Sequence, residues 1–398
     1  MAFDVERARG ETPGCAHVVH LNNAGSSLPP KPVLDAVVGH LELESRIGGY
    51  EAHERSEQAV ERFYGAAAQL LGARASEIAF CSSATRAWDM AFYAFRFGRG
   101  DRILTSVADY ISNYIAYLQV AERTGAEVVT VPNDEHGQVS GEALHGLIDE
   151  RVKLVAITHV PTNSGLVNPV AEIGAITRAA GIPYLVDACQ SAGQMPLDVD
   201  AIGCDALSAT GRKFLRGPRG TGLLYVRSSL LERLEPPMLD MRAADWVAPD
   251  RYRLRRDGRR FEEWEHDYAA KIGFTRAIDY ALEWRLEAIW ERVHALGERL
   301  RTLLAELDGV TVHDPGLLRC GIVTFAVAGA SAAKVKQALA RERINVTVSE
   351  TSSAVIDALE RRLPDLVRAS VHYFNTDEEL ERAADCVRAA ARSHERER

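Results

Sequence analysis

The stretch Ala206-Leu-Ser-Ala-Thr-Gly-Arg-Lys-Phe-Leu-Arg-Gly-Pro-Arg-Gly-Thr-Gly222 decides how the rest of this 398-residue chain is interpreted. A short apolar segment leads into Lys213, a turn rich in glycine and arginine follows, and residues 223–226 are apolar again. This pattern predicts a strand, a loop that carries the lysine, and a second strand. Burial between apolar segments lowers the pKa of a lysine, and the neutral amine is the form that makes Schiff bases.

A second stretch, Ile182-Pro-Tyr-Leu-Val-Asp-Ala-Cys-Gln-Ser-Ala-Gly193, places an acid where an apolar segment of strand length ends. A carboxylate at the carboxyl end of a buried parallel strand, here Asp187, lies where α/β proteins bind ligands. Together, Lys213 and Asp187 match the two requirements of pyridoxal 5'-phosphate (PLP), which are a lysine for the Schiff base and an acid that keeps the pyridine nitrogen protonated. An isolated lysine would instead be interpreted as a solvated loop residue.

Composition limits the classes of protein to which the chain can belong. It is 46% hydrophobic and 26% charged, which is typical of a globular protein, and its net charge of −9 provides no overall basic surface for nucleic acid. No segment approaches the roughly 18 apolar residues needed to span a membrane. The six cysteines form no closely spaced pair, so neither a metal site nor a disulfide framework is expected. Because the N-terminus has no apolar signal-peptide core, we expect a cytoplasmic protein.

Strand-like and helix-like segments alternate through the first two thirds of the chain. The strand-like segments are almost continuously apolar, which predicts a mostly parallel sheet covered on both faces and therefore an α/β fold. From about residue 311 the pattern is that of a small α+β unit. We predict a lead-in at 1–20, a large PLP-binding α/β domain at 21–257, and a linking helix with a small C-terminal α+β domain at 258–398.

Three motifs recur in a characteristic order: Asp187-Ala-Cys-Gln190, Ser208-Ala-Thr-Gly-Arg-Lys213 and Gly217-Pro-Arg-Gly-Thr-Gly222. In this order they resemble the class V aminotransferase and cysteine desulfurase family of fold-type I PLP enzymes, and the resemblance covers nearly the whole chain. It implies a large domain with a mostly parallel sheet and a small C-terminal α+β domain. It also implies a small-molecule amino-acid substrate and a homodimer with its active site near the subunit interface.

Candidate cofactor contacts come partly from the residues and partly from the resemblance. Small and hydroxyl residues at 82–85 precede a helix, whose start can bind phosphate through free N–H groups, although a simple helix cap uses the same residues. The resemblance implies that Tyr110 stacks on the PLP ring, where desulfurases carry histidine, and that either Thr162 or Asn163 reaches the ring hydroxyl. The predicted cofactor-binding residues are Lys213, Asp187, Gln190, Ser83, Ala84, Thr85, Tyr110, Thr162, Asn163, Thr210 and Arg212.

Candidate substrate contacts rest on the resemblance alone. Arg368 matches the family arginine that binds the substrate α-carboxylate, although an arginine in an alternating strand can also face solvent. Asn23 and Ala24 match a stretch near that carboxylate. Tyr50 follows a glycine pair that separates two predicted helices, and this break is a candidate active-site loop.

Within the family, the resemblance favours a C–S lyase over a desulfurase. Desulfurases carry a mobile catalytic cysteine in the small domain, and the matching region, residues 344–355, contains none. We therefore predict β-elimination from an S-substituted cysteine conjugate or sulfoxide, as in secondary metabolism, and no persulfide formation. An isopenicillin N epimerase-like enzyme and an aminotransferase stay open, since both would use Lys213 and Asp187. A non-enzymatic PLP-fold regulator is a further alternative.

Overall fold

The computed structural model describes residues 3–395. Within them the chain forms fifteen strands, named here in chain order. They are β1 (Val19–His20), β2 (Ile78–Cys81), β3 (Arg102–Ser106), β4 (Glu127–Val131), β5 (Val152–Thr158), β6 (Tyr184–Asp187), β7 (Ala206–Thr210), β8 (Gly222–Val226), β9 (Ala244–Ala248), β10 (Arg251–Leu254), β11 (Val310–Val312), β12 (Ile322–Val327), β13 (Ile344–Asn345), β14 (Thr347–Ser349) and β15 (Leu366–Ser370).

The α-helices of the same residues alternate with the strands from β2 to β7. They are α1 (Val5–Gly10), α2 (Lys31–Ile47), α3 (Gly49–Leu71), α4 (Ala84–Phe92), α5 (Ile111–Thr124), α6 (Gly141–Leu147), α7 (Val170–Ala180), α8 (Val199–Ile202), α9 (Ser228–Leu231), α10 (Tyr268–Trp284), α11 (Leu286–Ala305), α12 (Ala332–Arg341), α13 (Val355–Arg361) and α14 (Asp377–Glu395). Helices α2 and α3, and later α10 and α11, follow each other directly. Among the residues described, none of the helices combines the length and the apolar content that crossing a membrane requires.

A seven-stranded sheet forms the centre of the large domain, in the order β2-β8-β7-β6-β5-β3-β4. The pairs from β7 to β4 are parallel, and only β8 runs antiparallel to its two neighbours. Successive side chains of a strand point to opposite faces, and here Ile103 and Leu104 enter two different apolar clusters. Both faces are therefore covered, and the predicted α/β fold with a mostly parallel sheet is confirmed.

The order of the strands determines where ligands can bind. β6 lies between β5 and β7, with Asp187 paired to Thr158 on one side and to Ser208 on the other. The parallel strands of this sheet end at one edge, so the loop after β7 begins beside Asp187. The lysine loop and the acid, which are 26 residues apart in sequence, are thus brought to the same edge.

The small domain is built on a four-stranded antiparallel sheet in the order β11-β12-β15-β14. Helices α11, α12 and α14 contact this sheet or one another, and α10 precedes α11 as the link from the large domain. Arg368 lies on β15, opposite Thr324 of β12 and Thr347 of β14. The domain boundaries at residues 20 and 257 stay predictions.

Two local predictions were wrong. The segment predicted as a lead-in is not irregular, because its described residues, 3–20, contain α1 and also β1, whose Val19 pairs in parallel with Ile344 of the small domain. The glycine pair before Tyr50 does not form a loop either. Gly48 alone joins α2 to α3 with a φ of 96°, a conformation that favours glycine, and α3 begins at Gly49.

Candidate active site

Lys213 lies on a tightly closed loop after β7, and its side chain is buried. The N–H of Gly211 donates to the carbonyl of Thr221 at 3.1 Å, and the N–H of Gly217 donates to that of Gly211 at 2.7 Å. A Cβ at Gly211 would lie 2.2 Å from Thr221 Oγ1 and 2.9 Å from the Phe274 ring, so a larger residue there would force these side chains to shift. Burial lowers the pKa of the Lys213 amine, although the nearby carboxylate of Asp187 acts in the opposite direction.

The carboxylate of Asp187 is held by two donors. Its Oδ1 accepts the backbone N–H of Cys189 at 2.8 Å, and its Oδ2 accepts the side-chain amide of Asn113 at 2.9 Å. The same amide group is 3.4 Å from Oδ1 of Asp109, whose pKa is raised to about 6 by burial. Two hydrogen bonds at fixed angles orient the carboxylate at the end of β6.

The start of helix α4 offers unpaired donors. Ser83 caps the helix through a hydrogen bond of 3.0 Å from the N–H of Arg86 to its Oγ. Within the described residues, the N–H groups of Ala84 and Thr85 donate to no acceptor. Gly222 lies directly behind them, because a Cβ there would be 2.4 Å from the carbonyl carbon of Ser83. These free N–H groups and the helix dipole favour an anion such as phosphate.

Aromatic and polar side chains line the remaining walls. The Nζ atom of Lys213 is 5.8 Å from the centre of the Tyr110 ring. The hydroxyl of Thr210 donates to a neighbouring backbone carbonyl at 3.3 Å, and the guanidinium of Arg212 donates to the carbonyl of Gly25. Burial, followed by the positive charge of a neighbouring arginine, lowers the pKa of Arg212.

Arg368 reaches this region from the small domain. Its Nη1 donates to the carbonyl and the hydroxyl of Thr162, at 2.9 and 2.7 Å, and Gln190 Nε2 donates to the same hydroxyl at 3.2 Å. Burial first, and Arg212 second, lower the pKa of Arg368 to about 10. Within the described residues, Arg368 Nε and Gln190 Oε1 are buried and have no partner. Such a pair of orphaned groups indicates a missing polar ligand.

One pocket brings most of the predicted residues together. Five predicted residues do not line it: Arg368, which contacts its wall at Thr162, and Asn163, Asn23, Ala24 and Tyr50. Asn163 faces Ser349 and Ser353 of the small domain, Asn23 is fully buried and paired with Ser370, and Tyr50 is 73% exposed on α3. Ala24 contacts the pocket wall by accepting a hydrogen bond from Gln190. The pocket is lined by Ser83, Ala84, Thr85, Tyr110, Thr158, Val160, Thr162, Asp187, Cys189, Gln190, Thr210, Arg212 and Lys213.

Sequence reasoning missed four residues of this region: Asn113, Thr158, Val160 and Cys189. Asn113 lies in the first turn of α5, three residues after Tyr110, and β3 before it ends at the same edge as β5 and β6. A carboxamide at that position was the available signal, because a helix that follows a parallel strand starts beside the ligand-binding edge. Cys189 follows Asp187 by two residues and was available as part of the same motif.

Comparison with known proteins assigns the family. The family model described as Aminotransferase class-V matches residues 19–383, which is most of the chain. This chain belongs to the aminotransferase class-V family. A probable cysteine desulfurase from Methanothermobacter thermautotrophicus is 30% identical, and the match covers 94% of this chain and 95% of that protein.

Solved structures of the class-V fold agree with the architecture found here. The apo structure of a cysteine desulfurase from Thermococcus onnurineus NA1 has a TM-score of 0.92 at 27% identity and covers 99% of both chains. A lysine mutant of the protein C-DES, with glycine covalently linked to its PLP cofactor, has a TM-score of 0.86 over 96% of this chain and 98% of that one. At 23% identity, this second likeness concerns the fold alone.

These relatives correct one prediction and support another. The prediction of a C–S lyase that is not a cysteine desulfurase is contradicted. Both the curated relative and the solved structure are named cysteine desulfurases, and each matches nearly the whole chain. The chain is a PLP-dependent enzyme of the class-V family. Its residues fit the cofactor, since the unpaired N–H groups of Ala84 and Thr85 suit the phosphate and Lys213 offers a buried amine.

Proposed function

We propose that this enzyme breaks the C–S bond of L-cysteine and transfers the sulfur to a thiol. L-Cysteine and a thiol R-SH would give L-alanine and the persulfide R-S-SH, so that no further oxidant or reductant is needed. The observation that carries the proposal is the pocket that Lys213, Asp187 and Arg212 line, with Arg368 bound to its wall at Thr162. Desulfurase relatives that match almost the whole chain support it.

Different residues of this chain are proposed to hold different parts of the cofactor. When bound, PLP supplies the electron sink that makes the α-proton of an amino acid acidic. Asp187, oriented by Asn113, suits the protonated pyridine nitrogen, because a fixed carboxylate stabilises that charge. The start of α4, with Thr210 and Arg212 lining the same pocket, suits the phosphate.

Lys213 is the group proposed to move protons. Its lowered pKa favours the neutral amine, which is the form able to take a proton from the substrate α-carbon. The same Nζ can then deliver a proton to the β-carbon after sulfur has left. Since the side chain is buried among pocket residues, bulk water is kept from competing for that proton.

The sulfur acceptor is proposed to come from outside the chain. The loop that follows β14 carries serines, and Ser349 and Ser353 are bound to Asn163. Of the six cysteines, which all lie in the described part, only Cys189 lines the pocket. Burial and the charge of Asp187 raise the pKa of Cys189 well above its usual value, so its thiol stays protonated and is a poor nucleophile.

The PLP-loaded enzyme should therefore form alanine and sulfide in equal amounts from L-cysteine when dithiothreitol accepts the sulfur. Amino-acid analysis and sulfide detection measure the two products. Cys189→Ala should keep at least about half of this activity, because external attack does not require that thiol. Pyruvate in place of alanine would contradict the proposed reaction, whereas a persulfide trapped on Cys189, with activity lost in Cys189→Ala, would contradict only the external acceptor.

Arg368→Lys should raise KM for L-cysteine at least about tenfold with a smaller change in kcat. The proposed reason is that Arg368 binds the substrate carboxylate, and lysine lacks the planar pair of donors, a loss of about 1.5–3 kcal/mol per charged hydrogen bond. Initial rates over a range of cysteine concentrations separate the two constants. Arg341→Lys, on the exposed end of α12, is the matched control. An unchanged KM would remove Arg368 from the substrate site.

We also propose that the enzyme works as a homodimer, as the family resemblance implied. Exposed aromatic side chains on the β9–β10 hairpin support an interface, since Trp246 is 81% exposed and pairs with Tyr252, which is also exposed. Exposed groups of this kind are common where proteins associate. Sedimentation equilibrium of the purified enzyme tests this, and a monomer at every concentration would contradict it.

A further inference from the structure

A second cavity lies outside the PLP pocket, between the end of α3, the start of α7 and the junction of α10 with α11. Its volume is about 630 Å³, which is within the range of about 300–1,000 Å³ that is usual for small-molecule sites. Most of the wall is apolar. Its apolar lining includes Leu70, Val170, Met195, Leu282, Trp290 and Leu318.

The wall of this cavity contains one polar side chain with an unpaired ring nitrogen. His159 lines the cavity and is 93% buried, and within the described residues its ring nitrogen Nδ1 is buried and has no hydrogen-bond partner. Its backbone is firmly held, because its N–H donates to the carbonyl of Asp187 at 2.9 Å and its carbonyl accepts the N–H of Asn168 at 2.8 Å. Leaving this buried nitrogen unpaired costs about 1–3 kcal/mol, which a ligand that pairs with the imidazole would offset.

The charges around the cavity define what kind of molecule fits. Burial lowers the pKa of His159 to about 4, so the ring is neutral near pH 7 and presents one donor and one acceptor. The charged residues Arg285, Glu287 and Asp198 are exposed at the mouth and carry mixed signs. An ionised ligand would therefore lose its hydration without gaining a buried partner charge. Trp290 offers an aromatic surface on which a flat ring can stack.

We propose that this cavity, here called the His159 cavity, is a binding site for an uncharged aromatic molecule that carries one hydrogen-bonding group. The apolar wall contacts the aromatic rings of the ligand, and the hydrogen-bonding group of the ligand pairs with the imidazole of His159. The site is distinct from the PLP pocket, because none of the residues that line the one lines the other. Binding here does not depend on the proposed cysteine chemistry.

The test uses the PLP-loaded enzyme and titrates it with 2-naphthol, measured by isothermal titration calorimetry near neutral pH. One site per chain is expected. His159→Leu should weaken the binding of 2-naphthol about three- to tenfold, which corresponds to the net contribution of about one hydrogen bond. The same variant should not weaken the binding of 2-methylnaphthalene, because that molecule has no hydrogen-bonding group. His145→Leu, at an exposed histidine outside the cavity, is the matched control.

A second variant tests independently whether the naphthalenes bind in the His159 cavity. Ala171 is an exposed residue of α7 that lines the mouth, so Ala171→Trp fills the entrance without disturbing buried packing. It should abolish the binding of both naphthalenes. If 2-naphthol binds the wild type and both variants with equal affinity, or does not bind the wild type at all, the proposal is overturned. Neither outcome affects the proposed function, because no turnover is measured.

Discussion

Lys213→Ala is expected to reduce the turnover of L-cysteine by at least about a thousandfold. A positioned general base alone contributes about 10²–10⁴-fold, and this residue is also the amine proposed to bind the cofactor. No other lysine lines the pocket, as far as the described residues go. A side chain without an amine therefore leaves the α-proton with no base in reach.

Two measurements separate this expectation from a loss of folding. Borohydride reduction of the wild-type enzyme should attach PLP covalently to the peptide that contains Lys213, and this adduct should be missing from Lys213→Ala while its thermal unfolding stays close to that of the wild type. Lys153→Ala, at an exposed lysine of β5, is the control and should behave as the wild type. Substantial turnover by Lys213→Ala would show that the site has been assigned to the wrong residue.

Asp187→Asn is expected to reduce turnover by about 10²–10³-fold. Removing one partner of a buried charge pair costs about 3–5 kcal/mol, and the carboxylate is proposed to stabilise the protonated pyridine nitrogen of PLP. Asparagine has nearly the same shape and can still accept the hydrogen bond from Cys189. The loss therefore combines the removal of the charge with the loss of the hydrogen bond from Asn113, whereas the volume at this position stays nearly the same.

The absorbance spectrum of the bound cofactor gives a readout that does not require turnover. In Asp187→Asn the spectrum should respond to pH differently from that of the wild type, because the pyridine nitrogen would no longer hold its proton near neutral pH. Asp308→Asn, at an exposed aspartate, serves as control. Unaltered spectra and rates in Asp187→Asn would mean that the pyridine nitrogen meets a different group.

The family could be recognised from the sequence because its main features are local. The glycines around Lys213 and the apolar segment before Asp187 each predict a strand followed by a loop, and the structure has β7 and β6 there. The wrong functional prediction came from giving too much weight to one loop. The prediction that the chain is not a desulfurase rested on the absence of a cysteine from residues 344–355. The family match extends over residues 19–383, and the relatives contradict that prediction.

Other features depend on contacts between distant residues. Thr162 and Asn163 are neighbours in sequence, yet Thr162 lines the pocket and Asn163 binds serines of the small domain. Tyr50 follows a glycine pair that could have formed a loop, but the chain turns at Gly48 alone and leaves the ring in solvent. Periodicity does not say on which side of a turn a side chain emerges.

The sequence by itself determined the alternating strands and helices, the lysine on its glycine loop and the acid at the end of its strand. These features follow from local burial patterns and backbone preferences, which neighbouring residues set. Only the tertiary structure decided that Asn113 holds Asp187, that Arg368 meets Thr162, and that His159 faces a cavity without a partner. Those relations join residues as many as 206 positions apart, and they depend on strand order and domain packing that no local pattern contains.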